Sequence, residues 1–548
     1  MVRLVTRLLI FLCKVVRALG LSVGNYQATL TIEGFKGVMQ YAEDGALNTD
    51  MRYASAAKNC DTRDGALMPV AVPVVTTPAI PSVTGSAGLL VLPQENAYYN
   101  FGTHVIVASG TEDVEGEDPR YVMYMFTPGR DNSQVVPLSE MYPSIVFPPV
   151  LRHSFAQYEY EDGEYMDAIF FSNPGYAPWR ISVLRESQGI GVQQQDTPYN
   201  FSVLARYGER IWGAGAPEAP EIICYSRPYQ PNDWSQDTEI PEDGGGEIRQ
   251  PTFDGEGFTA LVPFGNSLLA FKEHSLWRIT GMSPDEFTFQ EQYGTGTIFP
   301  HTVCVYQEAV YFLTDRGMYR YDGATVRPFQ PHALQVLWRD HPLAGIDTHM
   351  PTAVVWRDRY ILSFPDTREA TYNNRTVVYN FADGTWGYAD KGLNATAYIV
   401  ARNKLFLLQP TTEGTTNVAE WHGSIEETET EAIEDVTEFD GFDWTTPWSD
   451  MGAKDILKNE FKLRFWIQTH MAGDRLKLAV TVETERGSKT REIIFDRDVD
   501  EEIKMRFHLS GRKVRMRFKL TDREGNEQIT SWCKIMGGMQ LNADTSPD

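Results

Sequence analysis

Between His104 and Gly423 the chain repeats one local pattern: a short β-branched or aromatic run, a tight polar turn, a second aromatic run, then a glycine. The clearest copies are NSLLAFKEHSLWRITG from Asn266 and EAVYFLTDRGMYRYDG from Glu308. In register, Leu268-Leu269-Ala270-Phe271 matches Val310-Tyr311-Phe312-Leu313, and Trp277 to Gly281 matches Tyr319 to Gly323. Such runs predict strands, because these side chains suit a pleated, half-buried surface and the polar turns end each run. Weaker copies begin at His104, Asp167, Glu209, Asp358 and Asn403. Central strands placed near Val105, Ile169, Ile211, Leu269, Tyr311, Ile361 and Phe406 lie 64, 42, 58, 42, 50 and 45 residues apart. A period of about 40–50 residues with several short strands per unit belongs to β-propellers. The pattern predicts an all-β chain with an irregular six- or seven-bladed β-propeller over 101–423. An array of unrelated sandwich strands is the competing reading.

Beyond Met451 the pattern becomes a polar/apolar alternation: KLRFWIQTH, RLKLAVTVET, REIIFDRD, EEIKMRFHL, GRKVRMRFKLTD and SWCKIMGGMQL. Six such strands in so short a span predict a C-terminal antiparallel β-sandwich over 451–548. Arg512, Lys513, Arg515, Arg517 and Lys519 take mostly alternate positions in one strand, which gives it a basic face. That face is either solvated or a contact with an acidic neighbour, so Arg512, Arg515 and Arg517 are candidate partner contacts.

The flanking segments read differently. Residues 424–450 form an acidic connector, with eight carboxylates between Glu426 and Asp440 interleaved by Ile425, Ala432, Ile433, Val436 and Phe439. Residues 23–100 read as an extended docking segment. Its stretch PVAVPVVTTPAIPSV, from Pro69 to Val83, carries prolines that exclude a central strand and suit a linker or an edge. Residues 1–22 are a basic amphipathic helix or a start-site extension. On a helical wheel Arg3, Arg7, Lys14 and Arg17 share an arc of about 80°. Its longest apolar run, Leu8 to Cys13, is too short to span a bilayer.

Composition adds two constraints. Apolar residues make up 42% of the 548, enough for a sizeable core, and the 44 glycines and 31 prolines leave little room for long helices. The net charge is −25 and unevenly spread: 30 basic against 58 acidic residues up to position 450, then 19 against 16. Such an acidic body does not wrap nucleic acid. The five cysteines are far apart and odd in number, with no CxxC pair, and read as reduced thiols rather than a disulfide framework or zinc ribbon.

Chemistry is sparse. No GxSxG, HExxH, Walker A, GxGxxG or EF-hand pattern occurs, and His341, Asp347 and His349 do not follow a ligand spacing. No catalytic, cofactor or metal residue is assigned, and the chain is expected not to be an enzyme. FADGTWGY, Phe381 to Tyr388, resembles the Asp box of sialidases but lacks its intervening residues, so it reads as a plain β-turn. The segment SRPYQPNDW, Ser226 to Trp234, combines two prolines with aromatic residues. It reads as a rigid turn or a partner-contact loop, with Arg227, Tyr229 and Trp234 as candidate contacts.

The order RIWGAG, SRPYQPNDW, LLAFKEHSLWRITG, TGTIFPHTVCVYQEAVYFLTDRGMYRYDG and VVYNFADGTW resembles the tail nozzle and packaged-DNA stabilisation family of short-tailed bacteriophages. FKGVMQYAEDGALNTDMRYASAAKNCDTRDGAL, from Phe35, is similar to that family's opening segment, whereas the leading basic helix departs from it. The resemblance implies a virion protein of the tail, assembled in the bacterial cytoplasm. It would form a homohexameric ring beneath the head-to-tail adaptor and portal, and carry spikes, fibres or a needle. Genomic DNA would pass through its lumen without specific binding, and an acidic wall would favour that by repelling phosphate. Two other classes stand beside it: a carbohydrate-binding or glycoside-hydrolysing propeller, and a host scaffolding propeller, which would carry regular WD or kelch signatures.

Overall fold

The computed structural model describes residues 27–38, 50–80, 106–112, 120–126 and 136–137, then, with short interruptions, 141–423 and 438–546. The expected basic helix, the acidic run 424–437 and the cluster His341, Asp347 and His349 lie outside the described residues.

Among the described residues, seven small antiparallel sheets follow one another along the chain. The first joins Ile106–Glu112, Arg120–Phe126 and Val136–Pro137. Five four-stranded meanders come next, over 155–194, 203–249, 258–293, 304–328 and 352–388. The last sheet has Ala397–Ala401, Lys404–Pro410 and Thr416–Trp421, and takes its fourth strand, Val74–Ile80, from the N-terminal side. First strands of successive sheets lie side by side, as in Phe155–Asp162, Val203–Tyr207 and Phe258–Phe264. This is a β-propeller.

The positions Ile169, Ile211, Leu269, Tyr311, Ile361 and Phe406 each fall in the second strand of successive blades. Val105 lies outside the described residues, next to Ile106–Glu112. Second strands are covered on both faces by neighbouring blades, which explains their unbroken apolar runs. Ser267–Lys272, Ala309–Thr314 and Arg359–Phe364 are buried at every position. Blade meets blade through aromatic pairs such as Phe271 and Phe312, with ring centroids 5.1 Å apart. One α-helix breaks the all-β order among the described residues: His332–Asp340, which buries Leu334 and Trp338 against the blade core.

The proline-bearing stretch after Pro69 is indeed an edge. Val74 pairs with Glu420 and Val75 with Ala419, and the register shifts twice before Ile80 reaches Thr416. Pro78 falls in that irregular stretch, where a missing N–H costs little.

The C-terminal strands form a two-sheet sandwich, but not alone. One sheet runs Gln27–Ile32, Met539–Ser546, Leu457–His470, Val499–Gly511, with Trp532–Ile535 paired to the end of the third strand. The other runs Gly487–Phe495, Leu476–Thr484, Val514–Asp522, Asp443–Thr445, Ala56–Lys58. Their inner faces share one core, in which Phe465 meets Phe518 edge-on at 5.9 Å and Phe35 meets Trp444 at 5.4 Å.

The expected boundaries at 23–100, 101–423 and 451–548 therefore need correction. Residues 27–58 supply two strands to the sandwich, and 74–80 supply one to the propeller. The intervening residues join the two bodies. Cys60 and Tyr388 exchange backbone hydrogen bonds at 2.9 and 3.0 Å, and Leu67 and Ile535 do so at 2.8 and 2.9 Å. The physical reason is edge coverage: sandwich and last blade each have an open strand edge that this segment fills.

Candidate functional site

First strands of several blades and the loops beside them line an open cavity of about 540 Å³. Val203, Leu204, Phe258, Ala260, Val262 and Ala353 give it apolar walls, while Glu256, Glu273 and His301 provide its ionisable lining. Pairing of Phe258 with Lys272 brings Glu256, just before one strand, beside the Glu273-His274 turn that ends the next. The Glu256 carboxylate accepts the His274 backbone N–H at 3.1 Å and lies 2.5 Å from its Nδ1. This bond, ahead of the opposing desolvation and aided by the charges of Glu256, Glu273 and Asp315, raises the His274 pKa above its ordinary 6.5. Beneath, the fully buried Lys272 donates to the Glu256 carbonyl at 3.1 Å and sits 4.7 Å over the Phe258 ring.

Glu256, Glu273 and His274 have ligand atoms within 4.8 Å of one another, two carboxylates and an imidazole, a donor set suited to a divalent cation. They form the one such group among the described residues. The sequence spacing gives no sign of this trio, because only the strand register brings Glu256 to a pair seventeen positions later.

The 226–245 loop is held down from below. Arg210 is 1% exposed, and its guanidinium donates to the carbonyls of Ser226, Gly244 and Glu242 at 2.6–2.7 Å. Burial lowers its pKa. Arg227 binds Asp237 at 2.9 Å and lies 3.7 Å from Asp233. The Ile240 and Glu239 amides, with Arg227, hold the Asp237 carboxyl below the ordinary range. Trp234 is partly buried, its ring 5.2 Å from that of Phe201. Tyr229 sits in the left-handed region at φ 59°, its N–H bonded to Glu209, and is 71% exposed. Of the three expected contacts, Arg227 and Trp234 shape the loop and Tyr229 projects from it. Ile240, 53% exposed, stands among Glu239, Glu242 and Asp243, all exposed.

The basic strand Val514–Asp522 is neutralised within the sandwich. Arg515 binds Glu483 at 2.8 Å and lies 4.7 Å over Trp448; Arg517 grips both oxygens of Asp443; Lys519 lies 3.4 Å from Glu527. Arg512 uses its backbone, its N–H bonding Glu485 and its carbonyl accepting from the buried Lys458. At FADGTWGY the Asp383 carboxylate accepts the Thr385 N–H at 3.0 Å and its hydroxyl at 2.7 Å, while Gly384 takes φ +69°. It is a tight turn.

No family model matches the chain, and no curated protein matches it. Among solved structures it is similar to BamB from Moraxella catarrhalis, at 10% identity and a TM-score of 0.34, covering 67% of this chain and 96% of that one. It is also similar to the AfRom2 CNH domain, at 8% identity and a TM-score of 0.30, covering 53% and 89%.

Proposed function

We propose that this chain is a structural subunit of a bacteriophage tail, a nozzle or connector ring that extends the DNA channel and stabilises the packaged genome. In this reading it is not an enzyme, assembles as a homohexamer, and contacts an adaptor ring on one side and spikes, fibres or a needle on the other. The observation that carries the reading is the stitching of propeller to sandwich by residues 27–38 and 50–80, which give strands to both bodies and so resist their being pulled apart. A conduit loaded by compressed DNA needs that resistance. The acidic body suits a wall that DNA slides past, since like charge discourages sticking.

Negative-stain imaging of the purified full chain tests it. Six-fold rings, and loss of packaged DNA from particles lacking the protein, are expected. A monomer that hydrolyses glycosides would overturn it in favour of the carbohydrate-active propeller, for which the Glu256 and Glu273 carboxylates at the cavity would be the first residues to replace.

A further inference from the structure

The outward face of the Leu457–His470 and Val499–Gly511 strand pair carries a cluster of four cations, Lys462, Arg464, Lys504 and Arg506, bordered by Asp544, Glu502 and Asp500. Phe461, Leu463, Phe465 and Ile467 point into the core, so Lys462, Arg464 and Trp466 point out. The register then sets Lys462 directly opposite Arg506 and Arg464 directly opposite Lys504. Like charges facing each other across a ladder are unfavourable. Lys462 finds Asp544 at 3.0 Å and Lys504 finds Glu502 at 2.6 Å. Arg464 and Arg506 make no hydrogen bond or ion pair with a carboxylate among the described residues, and both are exposed. Trp466, 46% exposed, borders them with its indole N–H bonded to Asp500. Arginine with an exposed tryptophan is the composition of an interface centre rather than of an idle surface.

We infer that this face docks on a second copy of this chain, against the acidic loop that carries Glu239, Glu242 and Asp243. The two surfaces are complementary. The loop offers three exposed carboxylates around exposed Ile240, which matches the exposed Arg464 and Arg506, neither held in an ion pair though Glu502 lies close enough to interact with Arg464, beside an exposed indole. Arg210 and the Arg227–Asp237 pair hold the loop in shape beforehand, so little ordering is needed on contact. The two surfaces differ, so the contact is head-to-tail, the kind that closes rings when the rotation permits. This inference rests on the ring assembly proposed above.

The test uses the full chain and mass photometry over a salt series. R464E/R506E and E239K/E242K lie on exposed positions, and circular dichroism with thermal melting verifies that each still folds. Each variant alone is expected to lose association at least tenfold, and wild-type association to weaken with salt. An equimolar mixture of the two variants should recover it, because each basic surface then faces an acidic one. Variants that assemble like wild type, or a mixture that stays dissociated, would overturn this inference and leave the ring reading intact. A wild-type chain that never assembles would overturn both. Duplex DNA bound by wild type and lost in R464E/R506E, with assembly unchanged, would reassign the face to nucleic acid.

Discussion

The indole N–H of Trp421 donates to the carbonyl oxygen of Ala71 at 2.8 Å, joining residues 350 positions apart. Trp421 ends the third strand of the last blade and packs near Trp356, while Ala71 leads into the strand that closes that blade. One side chain thus fastens the propeller where its first and last segments meet. Trp421→Ala should cost about 3–5 kcal/mol through the lost core volume. Trp421→Phe should cost about 1–2 kcal/mol, since it keeps most of the volume but strands a buried carbonyl. Denaturant unfolding of the two variants separates these effects, and equal losses would remove the hydrogen bond from the account.

Gly37 lies at φ +98°, and a Cβ built there would stand 2.0 Å from the Trp386 carbonyl oxygen. The close approach joins the N-terminal segment to the blade over 352–388. Gly37→Ala is expected to destabilise by about 2–4 kcal/mol through strain and clash together. Calorimetry giving an unchanged Tm would show that the junction yields easily.

Arg210 organises the 226–245 loop through three carbonyls. Arg210→Met keeps the length of the stem and removes every donor, at a cost on the order of 3 kcal/mol for the stranded acceptors. Hydrogen exchange should accelerate in 226–245 first. Uniform acceleration across the blade would mean that the arginine supports the core instead.

His274 gives a pH signature. Its folded-state pKa is raised above 6.5, chiefly by the bond to Glu256. The stability it adds is therefore fully present below about pH 6.5 and fades as pH rises through the folded value. Glu256→Gln should move the His274 titration, followed by NMR, back toward 6.5. A titration that ignores the substitution would reassign the shift to Glu273 and Asp315.

The chain shows its propeller plainly because second strands are buried on both faces and must be apolar throughout, so Leu269, Tyr311 and Ile361 mark blades unaided. Pro78 likewise marks an edge, since proline cannot serve a central ladder. What pairs at long range leaves no local trace. Nothing near Thr29 announces Asn542 as its partner, and nothing near Ala57 announces Trp444. The helix at His332–Asp340 is short, and its apolar residues resemble another strand. Charge deceived most: Arg515 and Arg517 look like a basic face in one strand, yet their carboxylates come from others. Arg464 and Lys504 look unremarkable in sequence and become a like-charge pair only through register. For the same reason Glu256 gave no sign of meeting His274.

The stitching also sets a timetable for synthesis. Residues 27–80 leave the ribosome long before the strands that receive them, for Gln27–Ile32 must wait for Met539–Ser546 and Val74–Ile80 for Thr416–Trp421. Blades can form one by one as they emerge, whereas Val74–Ile80 stays unpaired until Thr416–Trp421 appears and Gln27–Ile32 until nearly the whole chain exists. Closure is then the last folding event, with slow, non-local contacts and sticky open edges in the interim. A nascent chain halted before residue 416 lacks the partners for both strands, which makes its N-terminal segment a natural client for a chaperone.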